Sequence, residues 1–343
     1  MHRSGSAAID DEIHFRRRAF LGLCLGGVFG PPTVAYAGSG AMSFPVSVDH
    51  AFGKTVVPRL PRRIVCAGFC DDDSLLAFGV RPIAMVRRGM FKSGVAPWCE
   101  PLLGESRPVL LDGVSIDYEA ILALEPDLIV NVFSGADELV YRKLSTIAPT
   151  IAYRSGPWLA DWREQTRLIG AALGRDNDAE QLISRTRGSI RALAAANPSL
   201  AGRTFTFATH FAGSGSMVVY LPGETRVDWL IELGMAVAPG VDRLAKANPG
   251  RTSVDVSLEL LDTVDADVLV AWYEEGARQA MENEPLFQMF SPVRRRAYVP
   301  LEDPLSVWAA SWPSILSIPH VFPRLVPALA DAAVRTKGQS EEL

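Results

Sequence analysis

Residues 118–130 read YEAILALEPDLIV, and residues 258–270 read LELLDTVDADVLV. Aligned on their acidic residues, Glu119 falls on Glu259 and Asp127 on Asp267, and each Asp opens a short apolar run. A turn of helix followed by an apolar strand is one step of an alternating α/β fold. A single copy is ordinary for that class. Two copies in matching places predict two related lobes.

Between the copies, Trp158 to Asn197 carries helical spacing through Leu168, Leu173, Leu182, Ile183, Ile190 and Leu193, with GRDND as a break or kink. A new strand–helix series begins directly after it. The expected organisation is therefore an N-terminal α/β lobe over 44–156, a helical connector over 157–200 and a C-terminal α/β lobe over 201–335. In the first lobe, FPVSVDHAFGKTVVP predicts a hairpin turning at Phe52-Gly53, and PRRIVCAGF a buried strand. DDDSLLAFGV follows as a helix whose acidic front suits the positive end of its dipole. RPIAMV is a strand; after the first copy come a helix over 136–146 and a strand over 150–153. In the second lobe TFTFATHFAG and MVVYLPG are strands, 226–233 is a helix, and AYVPL precedes a final helix to about Val334. Strands alternating with helices imply largely parallel sheets covered on both faces, so the fold class is α/β with two Rossmann-like lobes.

The bulk numbers agree: 343 residues exceed one ordinary domain, and 48% apolar with 21% charged residues is a globular composition. A net charge of −5 gives no support to binding of nucleic acid or anionic lipid. Residues 1–37 read as an export signal: Arg16-Arg17-Arg18, the apolar AFLGLCLGGVF, two prolines, then Ala35-Tyr36-Ala37 as a small-x-small cleavage site near Ala37. RRAFL resembles a twin-arginine signal, and the bulky Leu23 argues against a lipid anchor on Cys24. A periplasmic location is expected. Cys66, Cys70 and Cys99 would remain; CAGFC lacks redox CxxC spacing, and a Cys70–Cys99 disulfide is the expected pairing in an oxidising compartment.

Chemistry-bearing motifs are missing together. There is no GxGxxG after the first strand, no GxxxxGK[ST], no HExxH, and AGSGSM (212–217) is not GxSxG. The mature chain keeps only His50, His210 and His320, too few for a metal centre, so no catalytic set, protein-held metal or cofactor is expected. What gathers at predicted strand ends is aromatic surface and arginine. Lobe one offers Phe69, Arg87, Arg88, Phe133, Tyr153, Arg154 and Trp158; lobe two offers His210, Trp272, Tyr273 and Trp308, with Arg251 before the second copy. Each alone is as readily surface charge or core filler. As a set beyond the carboxyl ends of strands, they describe a cleft for a large, partly aromatic or anionic ligand.

HAFGKTVVPRLPRRIV, YEAILALEPDLIV, the IAPT at 147–150, the connector and SLELLDTVDADVLV together resemble the periplasmic binding proteins that serve ABC importers of iron-siderophore complexes, haem and cobalamin. The resemblance covers essentially the whole mature chain. It implies two lobes joined by one long rigid helix, with ligand held between them. It further implies a monomer that delivers ligand to a permease dimer, docking through the positions matching Glu119 and Glu259; the other reading of these two is as solvated helix residues. A ferric siderophore, with iron held by the chelate, is the expected ligand. Haem (with His210 or a Tyr as axial ligand) and cobalamin are the alternatives within the family, and an exported two-lobed α/β enzyme the alternative outside it.

Overall fold

A computed structural model describes residues 43–335. The expected export signal over residues 1–37, with Cys24, lies outside the described residues. Strands β1 (Val46–His50) and β2 (Gly53–Val57) form the expected antiparallel hairpin. It is tied to lobe one by the Ala51 N–H donating to the Tyr153 carbonyl at 2.8 Å.

The first lobe is a fully parallel sheet of β3 (Ile64–Cys66), β4 (Ala84–Val86), β5 (Val109–Leu111), β6 (Leu128–Asn131) and β7 (Thr150–Ala152), in the order β5-β4-β3-β6-β7. The second is a separate, mixed sheet. It holds β8 (Thr204–Thr209), β9 (Ser216–Tyr220), β10 (Ala236–Val237), β11 (Ser253–Ser257), β12 (Val268–Trp272) and β13 (Tyr298–Leu301). Here β10, β8, β12 and β13 pair parallel, while β9 runs antiparallel to both β8 and β11. MVVYLPG therefore makes a hairpin return; the eight-residue helix Thr225–Glu232 comes only after it.

The repeated Asp does the same job twice. Asp127 accepts backbone N–H bonds from Arg62 (3.0 Å) and Arg63 (2.7 Å) at the entry to β3. Asp267 accepts from the Thr204 N–H (2.9 Å) and hydroxyl (3.1 Å) where β8 begins. Each carboxylate satisfies donors at the mouth of a central buried strand, which would otherwise be costly to leave unpaired.

The repeated helix differs between copies. Tyr118–Ala123 is α-helical, with Asp117 capping the Ala120 N–H at 2.9 Å. The second copy, Leu258–Val264, is a 3₁₀ helix. Its buried residues Leu258, Leu261 and Val264 recur every three positions, the spacing that a three-residue turn stacks on one edge.

The connector departs from a single long helix. Trp162–Ala172 packs against lobe one, breaks at Gly174 (φ 67°), and the 21-residue helix Asp176–Ala196 then runs on to lobe two. Gly170 allows the two to approach: a Cβ there would lie 2.7 Å from the Ala179 Cβ. One apolar core is continuous from Ile64 and Leu75 through Ile183 to Phe207 and Phe322, so the lobes share their packing. No helix among the described residues is long and apolar enough to cross a membrane. Cys66, Cys70 and Cys99 are all buried free thiols, so the expected Cys70–Cys99 disulfide is not formed.

Candidate functional site

Aromatic side chains link the two lobes in an arc. Phe133, after β6, meets Trp158 edge-on at 5.6 Å between ring centroids, and Trp158 meets Phe69, after β3, at 5.5 Å. Phe69 stacks on Trp308 at 6.3 Å and tilts against Trp312 at 6.1 Å; both come from the helix Pro304–Ser311 and its cap after β13. The Arg226 guanidinium lies 5.4 Å from the centre of Trp312 and 4.6 Å from that of Tyr220. Trp272, at the end of β12, donates its Nε1–H to the Tyr220 hydroxyl at 3.2 Å and meets Phe211 at 5.9 Å. Trp158 and Phe211 are exposed and Phe69, Trp272 and Trp312 half-buried, whereas Phe133, expected as a contact residue, is buried and backs Trp158 from within. Such a surface gives rigid apolar area at low entropy cost, with a cation at its middle.

Trp158 is held deliberately. Its φ of 61° is left-handed, a conformation costly for a bulky residue, and its N–H donates to the Ser134 carbonyl at 2.9 Å. The indole lies over Gly135, where a Cβ would be 2.4 Å from Nε1. Arg226 is fixed by Glu224, which pairs with its Nη1 and accepts its backbone N–H at 2.7 Å. The buried Nε has no partner. Burial pushes the Glu224 carboxyl up while Arg226 opposes the shift.

Several expected contact residues are placed otherwise. Arg88 is only 1% exposed: its Nη2 donates to both Asp72 oxygens at 2.8 Å and to Asp73 at 2.5 Å. It lies beneath the arc with Trp308, itself buried, 5.3 Å away, so both support the surface from behind. Tyr153 is buried and donates to the Ala136 carbonyl at 2.5 Å. Tyr273 packs in the lobe-two core against Tyr298. His210 is buried with Nδ1 3.1 Å from the Ser216 carbonyl, closing the β8–β9 turn. Arg251 precedes β11, which runs parallel to β8 through β9, so it sits at the end of that strand away from the arc. Arg154 is exposed, but its Nε is engaged by the Asp49 carbonyl at 2.7 Å. Arg87 is exposed after β4 and pairs with no carboxylate among the described residues.

Trp312, Arg226 and Tyr220 were missed by sequence reasoning. The two tryptophans four apart, Trp308 and Trp312, were the available signal for the first. Nothing local marks the other two: Tyr220 reaches the arc through the antiparallel placement of β9, and Arg226 through the start of the helix Thr225–Glu232 that follows it.

Under the arc, the front of the helix Asp71–Ala77 buries three carboxylates around one arginine. Asp71 accepts from the Val132 (2.8 Å) and Phe133 (3.1 Å) N–H groups. Ligand atoms of Asp72, Asp73 and Cys99 lie within 4.8 Å of one another, but the Arg88 guanidinium, bonded to both carboxylates, already supplies the positive charge there. Burial pushes Asp71 up to about 7, outweighing its backbone hydrogen bonds. Burial also raises Asp72 against the pull of Arg88. An acid raised in the folded state holds a proton that the unfolded chain releases, so its contribution is lost as pH rises from about 4 to about 7. The urea midpoint of the wild-type protein is accordingly expected to fall between pH 5 and pH 7, and Asp71→Asn to flatten that decline.

Glu119 and Glu259 are both exposed. Glu119 lies past the carboxyl end of β5, the outer strand of its sheet, and Glu259 directly past that of β11, the outer strand of the other. Each outer strand runs parallel to the central strand of its own lobe.

The paired lobes and the arc between them define a solute-binding architecture, and sequence comparison agrees. Residues 70–296 match the family described as periplasmic binding protein, and the chain belongs to that family. A Bacillus subtilis (strain 168) protein described as the probable siderophore-binding lipoprotein YfiY is 27% identical over 250 residues, covering 69% of this chain and 71% of the relative. Among solved structures, PiaA of Streptococcus pneumoniae TIGR4 in complex with ferrichrome has a TM-score of 0.76 at 25% identity, over 84% of this chain and 99% of that one. A periplasmic solute binding protein from Mycobacterium smegmatis MC2 155 gives 0.71 at 32% identity, over 84% and 98%.

Proposed function

We propose that this chain is an extracytoplasmic binding protein that captures a ferric siderophore between its lobes and delivers it to an ABC permease dimer for iron uptake. It acts as a monomer and holds iron only through the chelate. The observation that carries this reading is the arc: Trp158, Phe69, Trp312, Trp272 and Phe211 around Arg226 form a broad aromatic wall with one centred cation. With Arg226 balanced by Glu224, that chemistry suits a bulky chelate, charged or neutral, and supplies no nucleophile or base. The siderophore named for YfiY and the ferrichrome bound by PiaA support the same class. Haem held through His210 is disfavoured because that side chain is buried, with Nδ1 on the Ser216 carbonyl. The arginine run, apolar block and Ala-Tyr-Ala at the N-terminus support export to the periplasm with cleavage near Ala37.

Native mass spectrometry after incubation with ferric hydroxamate, catecholate and carboxylate chelates, haem and cobalamin tests the reading. A one-to-one adduct with an intact ferric chelate is expected. An adduct with haem or cobalamin alone, or conversion of any compound to a product, would overturn it. Trp158, 45% exposed at the edge of the arc, gives the cleanest variant. Trp158→Ala is expected to weaken chelate binding by about 10- to 100-fold, the scale of an interface anchor, with little change in Tm.

A further inference from the structure

The segment that carries Trp308 and Trp312 is stapled to both lobes. On the lobe-two side, Trp229 Nε1–H donates to the Ala310 carbonyl at 3.1 Å and the Thr225 hydroxyl to the Ser311 carbonyl at 3.3 Å. On the lobe-one side, the Ser314 hydroxyl donates to the Asp73 carboxylate, and the Cys70 thiol lies 3.9 Å from the Trp312 carbonyl. Asp73 is wholly buried and saturated: Trp98 Nε1–H reaches it at 2.9 Å, the Cys99 thiol at 3.0 Å and Arg88 at 2.5 Å. Ser314 is 1% exposed. A charge-assisted hydrogen bond between buried partners is among the stronger ones, and its donor and acceptor here belong to different lobes.

We infer that Asp73 and Ser314 form a cross-lobe clasp, and that Asp73 is a positioning residue which keeps Trp312 in register with Phe69 across the cleft. Phe69 stands four residues before Asp73 and Trp312 two before Ser314, so the bond ties together the two short segments that present the middle of the arc. Any slip between the lobes at this point moves one ring relative to the other. The consequence for cargo rests on the ferric-chelate reading given above; the clasp itself does not.

The fold supplies its own control. Ser314 and Ser317 cap each other reciprocally: the Ser314 N–H donates to Ser317 Oγ at 2.8 Å and the Ser317 N–H to Ser314 Oγ at 2.9 Å. Ser314→Ala and Ser317→Ala each remove one of these local bonds, but only the first removes the bond to Asp73. Both leave Arg88 paired, which Asp73→Asn would weaken. Amide hydrogen exchange decides the matter without any ligand. Ser314→Ala is expected to speed exchange about tenfold both at 312–318 and across the gap, in the lobe-one helix Asp71–Ala77. Ser317→Ala is expected to do so at 312–318 alone. Lobe-one exchange unchanged by Ser314→Ala would overturn the clasp.

A second measurement uses ferrichrome as probe. Its release from Ser314→Ala should be about tenfold faster than from wild type, and from Ser317→Ala within about twofold, as expected for one lost bond of about 1.4 kcal/mol. Equal release rates from all three proteins would remove the positioning role. Failure of the wild-type protein to bind any ferric chelate would sink the cargo reading instead, and hydrogen exchange would still decide the clasp.

Discussion

Arg88→Ala is expected to cost about 3–5 kcal/mol of folding stability, the scale seen when one partner of a buried ion pair is removed. Asp72 and Asp73 would remain buried with no counter-charge, since Arg88 is the partner in both of their ion pairs. The loss has a pH signature. Without the guanidinium, the burial that already raises the Asp72 carboxyl acts unopposed, so the variant should recover part of its stability as pH falls from 8 towards 5. Its neighbour Arg87 is the control: exposed and without a carboxylate partner among the described residues, Arg87→Ala should change stability by no more than about 0.5 kcal/mol. Urea denaturation at several pH values measures both. A variant Arg88→Ala within about 1 kcal/mol of wild type would contradict the buried-pair account.

The second large effect concerns delivery. Glu119→Lys combined with Glu259→Lys is expected to abolish ferric-chelate uptake in cells while leaving chelate affinity within about twofold of wild type, because neither residue is part of the arc and exposed charges outside it act on partner registration. The two lobes present their acids on different scaffolds. Glu259 and Asp262 recur three apart on one edge of the 3₁₀ helix, both exposed, beside the exposed Leu260, whereas Glu119 sits on a short α-helix with the exposed Leu122 one turn on. Either single variant leaves an exposed acid beside the changed position, Asp117 in lobe one and Asp262 in lobe two, and should therefore impair uptake less than the double variant. Uptake unchanged in the double variant would refute the docking role.

The parts of this molecule legible in its sequence are those written locally. The hairpin and the break at GRDND each depend on neighbours within a few residues and both form, the hairpin turning at Ala51-Phe52; the repeated Asp was visible as a pattern, but its partners lie more than sixty residues away. The mixed second sheet was not legible, because SVDVS at 253–257 becomes a strand only by pairing with β9 far back in the chain. The arc was half legible. Phe69, Phe133, Trp158, Trp272 and Trp308 stand near strand ends and converge. Arg88 and Arg251 carry the same kind of label and do not: one is drawn inward by two aspartates lying on a different element, and the other follows β11 to the wrong end of the sheet. Charge in a sequence shows no partner, and that decides whether an arginine faces ligand or core.

The most direct test of the binding-protein account is tryptophan fluorescence during titration with ferrichrome and with its iron-free form. Four of the seven tryptophans, Trp158, Trp272, Trp308 and Trp312, lie in or behind the arc. The predicted result is saturable quenching by the ferric chelate that completes at one equivalent and is blunted in Trp158→Ala. Fluorescence that stays flat with ferrichrome, and equally with ferric catecholate and carboxylate chelates at micromolar concentration, would contradict it.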